Sequence, residues 1–179
     1  MTADVAAASL ISVAAKIERG RSKERPLFTA IMHSLTHYKM VPGEQALRPA
    51  ILALLGENDL PVVDLDESKV LFACLDNDEV IGTGGLEFFK DCALLRSVSV
   101  KKDVQKTGLG KFIVDELEKI AKGKRINRLY LLTTTAEDFF TKLGYKTIDR
   151  EELPIEIKNT TEFTSVCPST ASVLRKLLL

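Results

Sequence analysis

Two glycines, Gly108 and Gly110, lie between an apolar segment and an amphipathic one, and this placement favours the binding of an anion. Glycine has no side chain, so a ligand can approach the main chain closely. If a helix begins here, the N–H groups of its first turn lack acceptors within the helix and point at the ligand. Lys106 and Lys111 add positive charge beside the turn. The pattern therefore predicts recognition of a phosphate or pyrophosphate.

The segments on either side predict a strand before the turn and a helix after it. Apolar and polar residues alternate over 97–100, while Leu109, Ile113, Leu117 and Ile120 recur at the spacing of one helix face. The turn is not a Walker A loop, and it lacks the first glycine of a dinucleotide-binding fingerprint. A strand, a glycine turn and a helix remain as the elements that would position the anion.

The turn reads Gln105-Lys106-Thr107-Gly108-Leu109-Gly110, which matches the pattern Gln/Arg-x-x-Gly-x-Gly/Ala. In this it resembles the pyrophosphate-binding turn of the Gcn5-related N-acetyltransferases (GNAT). The resemblance covers roughly residues 40–168 and is densest over 80–168. Residues 131–145 and 162–168 look like the subgroup labelled arsenic-resistance or amino-acid N-acetyltransferases. A similar Leu-Thr-Thr-x-Thr-Ala stretch occurs in N-acetylglutamate synthases.

The resemblance implies a mixed α/β GNAT fold, with a central sheet of about six to seven strands and helices on both faces. It also implies acetyl-CoA as the acetyl donor. The main chain of Val98 and Val100 would contact the pantetheine and thioester, and Phe139 and Phe140 would form a packing wall. The implied donor-binding residues are Val98, Val100, Gln105, Lys106, Thr107, Gly108, Leu109, Gly110, Lys111, Phe139 and Phe140.

Two positions depart from features that are common in the family. Ser97 stands where a Glu is often found, and Phe140 stands where a Tyr usually protonates the departing thiolate. Glu87 remains the best candidate for the base, directly or through water, although an exposed polar residue would explain it equally well. Glu87 and Ser97 are therefore the candidate catalytic residues.

Arg96 follows an apolar run on the predicted central strand, where an unpaired guanidinium would be costly to bury. It needs an acidic partner, which could be a substrate carboxylate or an internal carboxylate of Asp91 or Glu87. The acidic residues of 59–67 would suit an amine-bearing acceptor, although solvated loop charge is the commoner explanation.

Thr133, Thr134 and Thr135 stand between a predicted strand and a predicted helix. One hydroxyl is expected to cap the helix, most naturally that of Thr135 or Thr134. The others are available to a ligand, so Thr133 and Thr134 join Arg96 as candidate acceptor-binding residues.

The composition bounds the class of protein. With 179 residues, zero formal net charge and no Trp, the chain fits one domain and gives no support to a nucleic-acid surface. Cys74, Cys92 and Cys167 form no Cys-x-x-Cys pair, so we expect neither a disulfide framework nor a metal site. We also expect no membrane span and a cytoplasmic location.

Residues 1–36 fall outside the resemblance, and 37–179 form the predicted acetyltransferase domain. The first segment could be a dimerisation arm, which leaves a homodimer open, a disordered leader, or the product of an upstream start codon. His33 and His37 are expected to form an exposed helical pair.

The remaining secondary structure is predicted from the same kinds of pattern. Strands are predicted at 37–40, 70–75, 79–88, 92–100, 124–132, 145–149 and 163–167, with one helix starting near Pro42 and another over 136–142.

Together these features predict direct transfer of an acetyl group from acetyl-CoA to the amine of a small molecule, with an amino acid or an analogue as acceptor. Two alternatives stay open. A non-catalytic acyl-CoA-binding sensor could have kept the glycine turn, and a protein N-acetyltransferase would have the same donor site.

Overall fold

The computed structural model describes residues 38–66 and 69–178. The chain divides into a unit of Met1–Thr36 and a unit of His37–Leu179. The predictions for residues 1–36, and for His33 and His37, lie outside the described residues.

A seven-stranded mixed sheet forms the centre of the fold, in the order β1-β2-β3-β4-β5-β7-β6. Strands β1 to β4 form an antiparallel meander, β5 pairs with β4 in parallel, and β7 lies antiparallel between β5 and β6. The predicted fold class is thereby confirmed. The strands are β1 (Lys39–Pro42), β2 (Val70–Asp76), β3 (Glu79–Phe88), β4 (Cys92–Val100), β5 (Arg128–Thr133), β6 (Lys146–Ile148) and β7 (Ser172–Leu177).

Helices cover both faces of the sheet. One apolar cluster joins the second and third α-helices to one face, and two further clusters lie under the first and fourth on the other. Alternate strand residues divide between the faces: Ala73 belongs to one cluster and Cys74 to another. The helices are α1 (Arg48–Glu57), α2 (Leu109–Gly123), α3 (Glu137–Lys142) and α4 (Ile155–Lys158), with 3₁₀ turns at Lys102–Val104 and Arg150–Glu152 and a π-helix at Glu162–Val166.

The elements with the strongest local patterns lie where the sequence predicts them. Strands β3 and β4 have the predicted bounds, and Asn77 and Asp78 turn between β2 and β3 with φ angles of 46° and 69°. Two successive positive φ angles are typical of a type I′ hairpin turn. In α2, the predicted face is buried at Leu109, Ile113 and Leu117.

The prediction of a strand over 163–167 is wrong. This segment forms the π-helix, in which the Cys167 N–H donates to the Glu162 carbonyl at 2.8 Å. The Thr160 hydroxyl accepts a hydrogen bond from the Phe163 N–H at 3.2 Å, which favours a helical start. The last strand is instead β7, whose sequence SVLRKL was not predicted as a strand.

Other boundaries also differ from the predictions, most of all those of β1, α1 and β5. β1 begins at Lys39 and runs to Pro42, and Gly43 N donates to Leu71 O, so this segment still belongs to the sheet edge and α1 begins only at Arg48. β5 begins at Arg128, because Lys124 N still bonds to carbonyls of α2.

Candidate functional site

A β-bulge interrupts β4 at Ser97 and Val98. Strand β3 pairs Thr83 with Ser99 and Gly85 with Arg96, so two residues of β4 oppose one residue of β3. Ser97 has a φ of 56°, which is uncommon for a residue other than glycine. Bulges of this kind bend a strand and leave main-chain groups unpaired, and they often occur beside active sites.

Strands β4 and β5 separate before the bulge and stay apart to their ends. Their parallel pairing runs from Cys92 with Arg128 to Leu94 with Tyr130 and goes no further, although β4 continues to Val100 and β5 to Thr133. The two strands therefore form the walls of an open cleft. This cleft is where the resemblance implies contacts between the main chain of Val98 and Val100 and a ligand.

The glycine turn follows directly after this end of β4. Gly108 is the N-terminal cap of α2, with a φ of 96°, and the first helical hydrogen bond runs from Phe112 N to Gly108 O at 3.0 Å. The N–H groups before Phe112 therefore lack acceptors within the helix. Gln105 Nε2 donates to Val100 O at 3.3 Å and to Asn58 Oδ1 at 3.4 Å, so it joins the strand end to the loop after α1.

Gly110 lies against the aromatic side chains of α3. A β-carbon at Gly110 would approach Phe139 Cζ to 3.3 Å. Phe139 packs edge-on against Phe140, with 5.0 Å between the ring centroids, and Phe140 packs in the same way against Tyr145, with 5.5 Å between them. The ring of Phe139 therefore has little freedom to move away from Gly110. Of the two lysines predicted to add charge, Lys106 is exposed and Lys111 pairs with Asp115 at 2.5 Å.

The cleft opens into a cavity of about 510 Å³, a volume within the range of small-molecule sites. Its walls come from four parts of the chain: the loop 58–61, the segment 95–105, the segment 131–140 and the π-helix with its following residues. The cavity brings together the predicted residues Arg96, Ser97, Val98, Val100, Gln105, Thr133, Thr134 and Phe140.

Arg96 lies at the cavity wall within a buried set of charges. Its Nη atoms lie 2.7 Å from Asp64 Oδ1 and Oδ2, 2.7 Å from Glu162 Oε2 and 3.6 Å from Glu87 Oε2. We call Asp64, Glu87, Arg96 and Glu162 the Arg96 cluster. The loop that carries Asp64 is fixed by Arg48 of α1, whose Nη2 donates to Leu65 O.

Comparison with known proteins identifies the family. The model of the acetyltransferase (GNAT) family matches residues 29–145. The chain belongs to this family. It is 38% identical over 125 residues to a Bacillus subtilis (strain 168) protein assigned by name to the acetyltransferases, over 63% of this chain and 85% of that one.

Other matches are partial. A Chlorobaculum tepidum protein named as an N-acetyltransferase is 30% identical over 80 residues, which is 44% of this chain and 51% of that protein. The chain thus spans about half the length of that relative. Among solved structures, the Neisseria gonorrhoeae N-acetylglutamate synthase complexed with coenzyme A and N-acetyl-glutamate matches with a TM-score of 0.68 and 19% identity, covering 79% of this chain and 35% of that one.

Within this acetyltransferase fold, the partners of Arg96 are internal carboxylates. Of the two internal partners predicted from the sequence, Glu87 lies in the cluster but Asp91 pairs with Arg128 instead. A role for Arg96 in binding a substrate carboxylate stays a prediction. The internal ion pairs make this role less favourable, because both terminal nitrogens of Arg96 already face carboxylates.

The two candidate catalytic residues occupy different places. Ser97 lines the cavity at the bulge, whereas Glu87 is absent from the cavity wall and lies against Arg96. Their catalytic roles stay predictions.

In the segment Thr133–Thr135, the hydroxyl that bonds to the main chain before α3 is that of Thr133, whereas the sequence predicted that of Thr134 or Thr135. The Thr133 hydroxyl accepts hydrogen bonds from Ala136 N at 3.0 Å and Thr135 N at 3.4 Å, so neither Thr134 nor Thr135 caps α3. The reason is that β5 extends through Thr133, and the chain turns immediately after it. Thr134 and Thr135 are exposed at the cavity wall.

Sequence reasoning missed Asp64 and Glu162 as members of the site. Asp64 appeared as one of several loop carboxylates, and Glu162 appeared next to a predicted strand. The one available signal was the need of a buried Arg96 for acidic partners, which does not say where in the chain they stand.

Burial raises the pKa of Glu162 above its ordinary value, and the charges of Asp64 and Glu87 act in the same direction against the effect of Arg96. Burial also raises the pKa of the Cys167 thiol to about 12, with a further contribution from Glu162. A thiol of this kind is not a thiolate at neutral pH, so it is a poor nucleophile.

Within residues 38–66 and 69–178, no group of three or more His, Cys, Asp or Glu side chains is arranged to hold a metal ion. The same residues contain no helix long and apolar enough to cross a membrane. Cys74 and Cys92 are buried as free thiols, and Cys167 is a half-buried one.

Proposed function

We propose that the protein is an acetyl-CoA-dependent N-acetyltransferase that transfers an acetyl group directly to the amine of a small molecule. The observation that carries the proposal is the cleft between β4 and β5, which has the bulged strand on one wall and the glycine turn at its end. Membership of the acetyltransferase (GNAT) family supports the same chemistry.

The donor would lie along β4 and the glycine turn. The main-chain groups of Val98 and Val100 would bind the pantetheine and thioester, and the N–H groups at the start of α2 would bind the pyrophosphate. The left-handed conformation of Gly108, which has open space around it, fits such a ligand, while Gly110 lets the start of α2 pack closely against Phe139. When bound, acetyl-CoA supplies the activated acetyl group. The chain's own residues fix its position and stabilise the developing oxyanion.

We propose an amino acid or an amino-acid analogue as the acceptor. This is supported by the fold shared with an N-acetylglutamate synthase and by the Leu131–Ala136 stretch, whose Thr133 and Thr134 line the cavity. The proposal does not rest on Arg96, whose terminal nitrogens face internal carboxylates.

Two further points stay proposals. A cytoplasmic location suits an enzyme that uses acetyl-CoA, and a homodimer would be compatible with one of the three interpretations of residues 1–36, the dimerisation arm. The arsenic-resistance-like label adds no acceptor, because Cys74 and Cys92 are buried apart from the cavity and Cys167 is the one thiol that lines it among the described residues.

A turnover screen tests the proposal. Acetyl-CoA would be incubated with the protein and, in turn, the common amino acids, ethanolamine and butylamine, and the free CoA thiol would be measured. We expect amine-dependent release of CoA that is faster with at least one amino acid than with ethanolamine or butylamine. Tight binding of acetyl-CoA without release in the whole panel would favour the sensor, and acetylation of peptides alone would favour a protein acetyltransferase.

A further inference from the structure

Glu162 is the carboxylate best placed to meet an acceptor amine. Among the described residues, the carboxylates that line the cavity are Asp59 and Glu162. Asp59 is exposed on a loop, whereas the side chain of Glu162 is only 12% exposed. Glu162 also begins the π-helix, and helical irregularities of this type are frequent at functional sites.

The charges of the Arg96 cluster do not balance. When all four groups are ionised, one guanidinium faces the three carboxylates of Asp64, Glu87 and Glu162. Asp64 and Arg96 have side chains only 2% exposed, so water screens this excess of negative charge weakly. A cation that enters the cavity would therefore be stabilised beside Glu162.

One oxygen of Glu162 retains capacity for such a cation. Oε2 is held by Arg96 Nη2 at 2.7 Å, while Oε1 accepts a hydrogen bond from the Cys167 thiol at 3.5 Å. A thiol is a weak donor, and a carboxylate oxygen can accept two hydrogen bonds. An ammonium N–H could thus bond to Oε1 without displacing Arg96.

We infer that Glu162 binds the ammonium group of the acceptor and takes a proton from it, which makes Glu162 a catalytic residue of the proposed acetyltransferase. This inference rests on the proposed function. The proton passes from the ammonium nitrogen to a Glu162 oxygen, which leaves a neutral amine. The nitrogen lone pair then forms the C–N bond as the thioester C–S bond breaks. The departing sulfur takes the second proton lost by nitrogen, and Glu162 returns its proton to water at the cavity mouth.

The other groups around Glu162 position it and set its basicity. Arg96 on β4 fixes Oε2 and favours the ionised carboxylate, while Asp64 on its loop and Glu87 on β3 favour the protonated one. Cys167, at the end of the π-helix, donates to Oε1. Burial and the two carboxylates together raise the pKa of Glu162, and a more basic carboxylate is a better acceptor for an amine proton.

The test compares Glu162→Gln with Glu156→Gln, the same change at an exposed residue of α4 that does not line the cavity. With acetyl-CoA and the best amine of the turnover screen, kcat/KM at neutral pH should fall by about 10²–10⁴ in Glu162→Gln and stay unchanged in Glu156→Gln. The activity of Glu162→Gln should recover as the pH rises, because the amine then loses its proton in solution. Its affinity for coenzyme A, measured by calorimetry, should equal that of the wild type.

A second measurement needs no variant. The Glu162 carboxyl carbon of the wild-type protein, observed by carbon-13 NMR, should titrate above the ordinary range of a glutamate and shift when the amine is added. The inference is overturned if Glu162→Gln keeps the wild-type rate and pH profile, or if the carboxyl signal does not respond to the amine. If the wild type itself turns over no amine, the proposed function fails instead.

Discussion

The glycine-turn side of the cleft and the Arg96 cluster are built in different ways. The donor wall, residues 97–111, is one continuous stretch whose main chain would do the binding. The Arg96 cluster is assembled from side chains at positions 64, 87, 96 and 162, which come from a loop, two strands and a π-helix. Substitutions that keep the main-chain conformation of the donor wall should therefore change ligand affinity more than stability, whereas those in the Arg96 cluster should also change stability.

The largest effect is expected for Arg96→Leu, which removes the one cation of the Arg96 cluster. Three carboxylates would then face one another out of water, and breaking a buried ion pair in this way costs about 3–5 kcal/mol. Chemical denaturation should show this loss in the free energy of unfolding. Arg128→Leu is the control, since its pair with Asp91 is partly exposed and should contribute about 1 kcal/mol or less. Equal losses in the two variants would show that the Arg96 cluster does not stabilise the fold.

Gly110→Val is expected to weaken coenzyme A binding strongly. The added side chain would press on Phe139 and displace the main chain at the start of α2 that would bind the pyrophosphate. Each loss of about 1.4 kcal/mol in binding free energy would weaken affinity about tenfold, and we expect at least that loss. Calorimetric titration measures the change. Gly123→Val is a control at the other end of α2, where a β-carbon meets nothing within 4 Å. Wild-type affinity in a folded Gly110→Val protein would remove the turn from the donor site.

A smaller effect is expected for Gly108→Ala. The φ of 96° disfavours any side chain, although the space around Gly108 is open, so the free energy of unfolding should fall by about 1–2 kcal/mol. Gly56→Ala provides the opposite case. Gly56 lies in α1, and a β-carbon there would meet nothing within 4 Å, so alanine should stabilise the protein by about 0.5–1 kcal/mol. Thermal or chemical denaturation of the pair tests whether the turn conformation, rather than crowding, requires Gly108.

The smallest effect is expected for Cys167→Ser. The pKa of this thiol is raised to about 12, so no covalent acyl-cysteine step is expected, and serine can still donate to Glu162. The rate of CoA release should stay at its wild-type value between pH 6 and about 8, where a free cysteine begins to ionise. Loss of turnover in this variant would indicate that sulfur takes part in the chemistry.

The same difference between the donor wall and the Arg96 cluster decides what could be predicted from the sequence. The bounds of β4, the glycine turn and the buried face of α2 depend on neighbours in the chain, and their patterns indicated them correctly. The two partners of Arg96 that the sequence did not indicate, Asp64 and Glu162, stand 32 and 66 positions away along the chain, and nothing in their local sequence marks them. The π-helix was missed because Phe163, Val166 and Cys167 have strand-like side chains, while the Thr160 hydroxyl and main-chain hydrogen bonds favour a helical turn.

Amide hydrogen exchange with and without coenzyme A tests most directly whether the donor lies on the wall formed by β4 and the glycine turn. We predict that coenzyme A slows exchange at the amides of residues 98–100 and 108–111, which would bind it, and leaves β6 and the loop of Asn77 and Asp78 unchanged. If coenzyme A binds but protects other segments and leaves residues 98–100 and 108–111 unprotected, this assignment is contradicted.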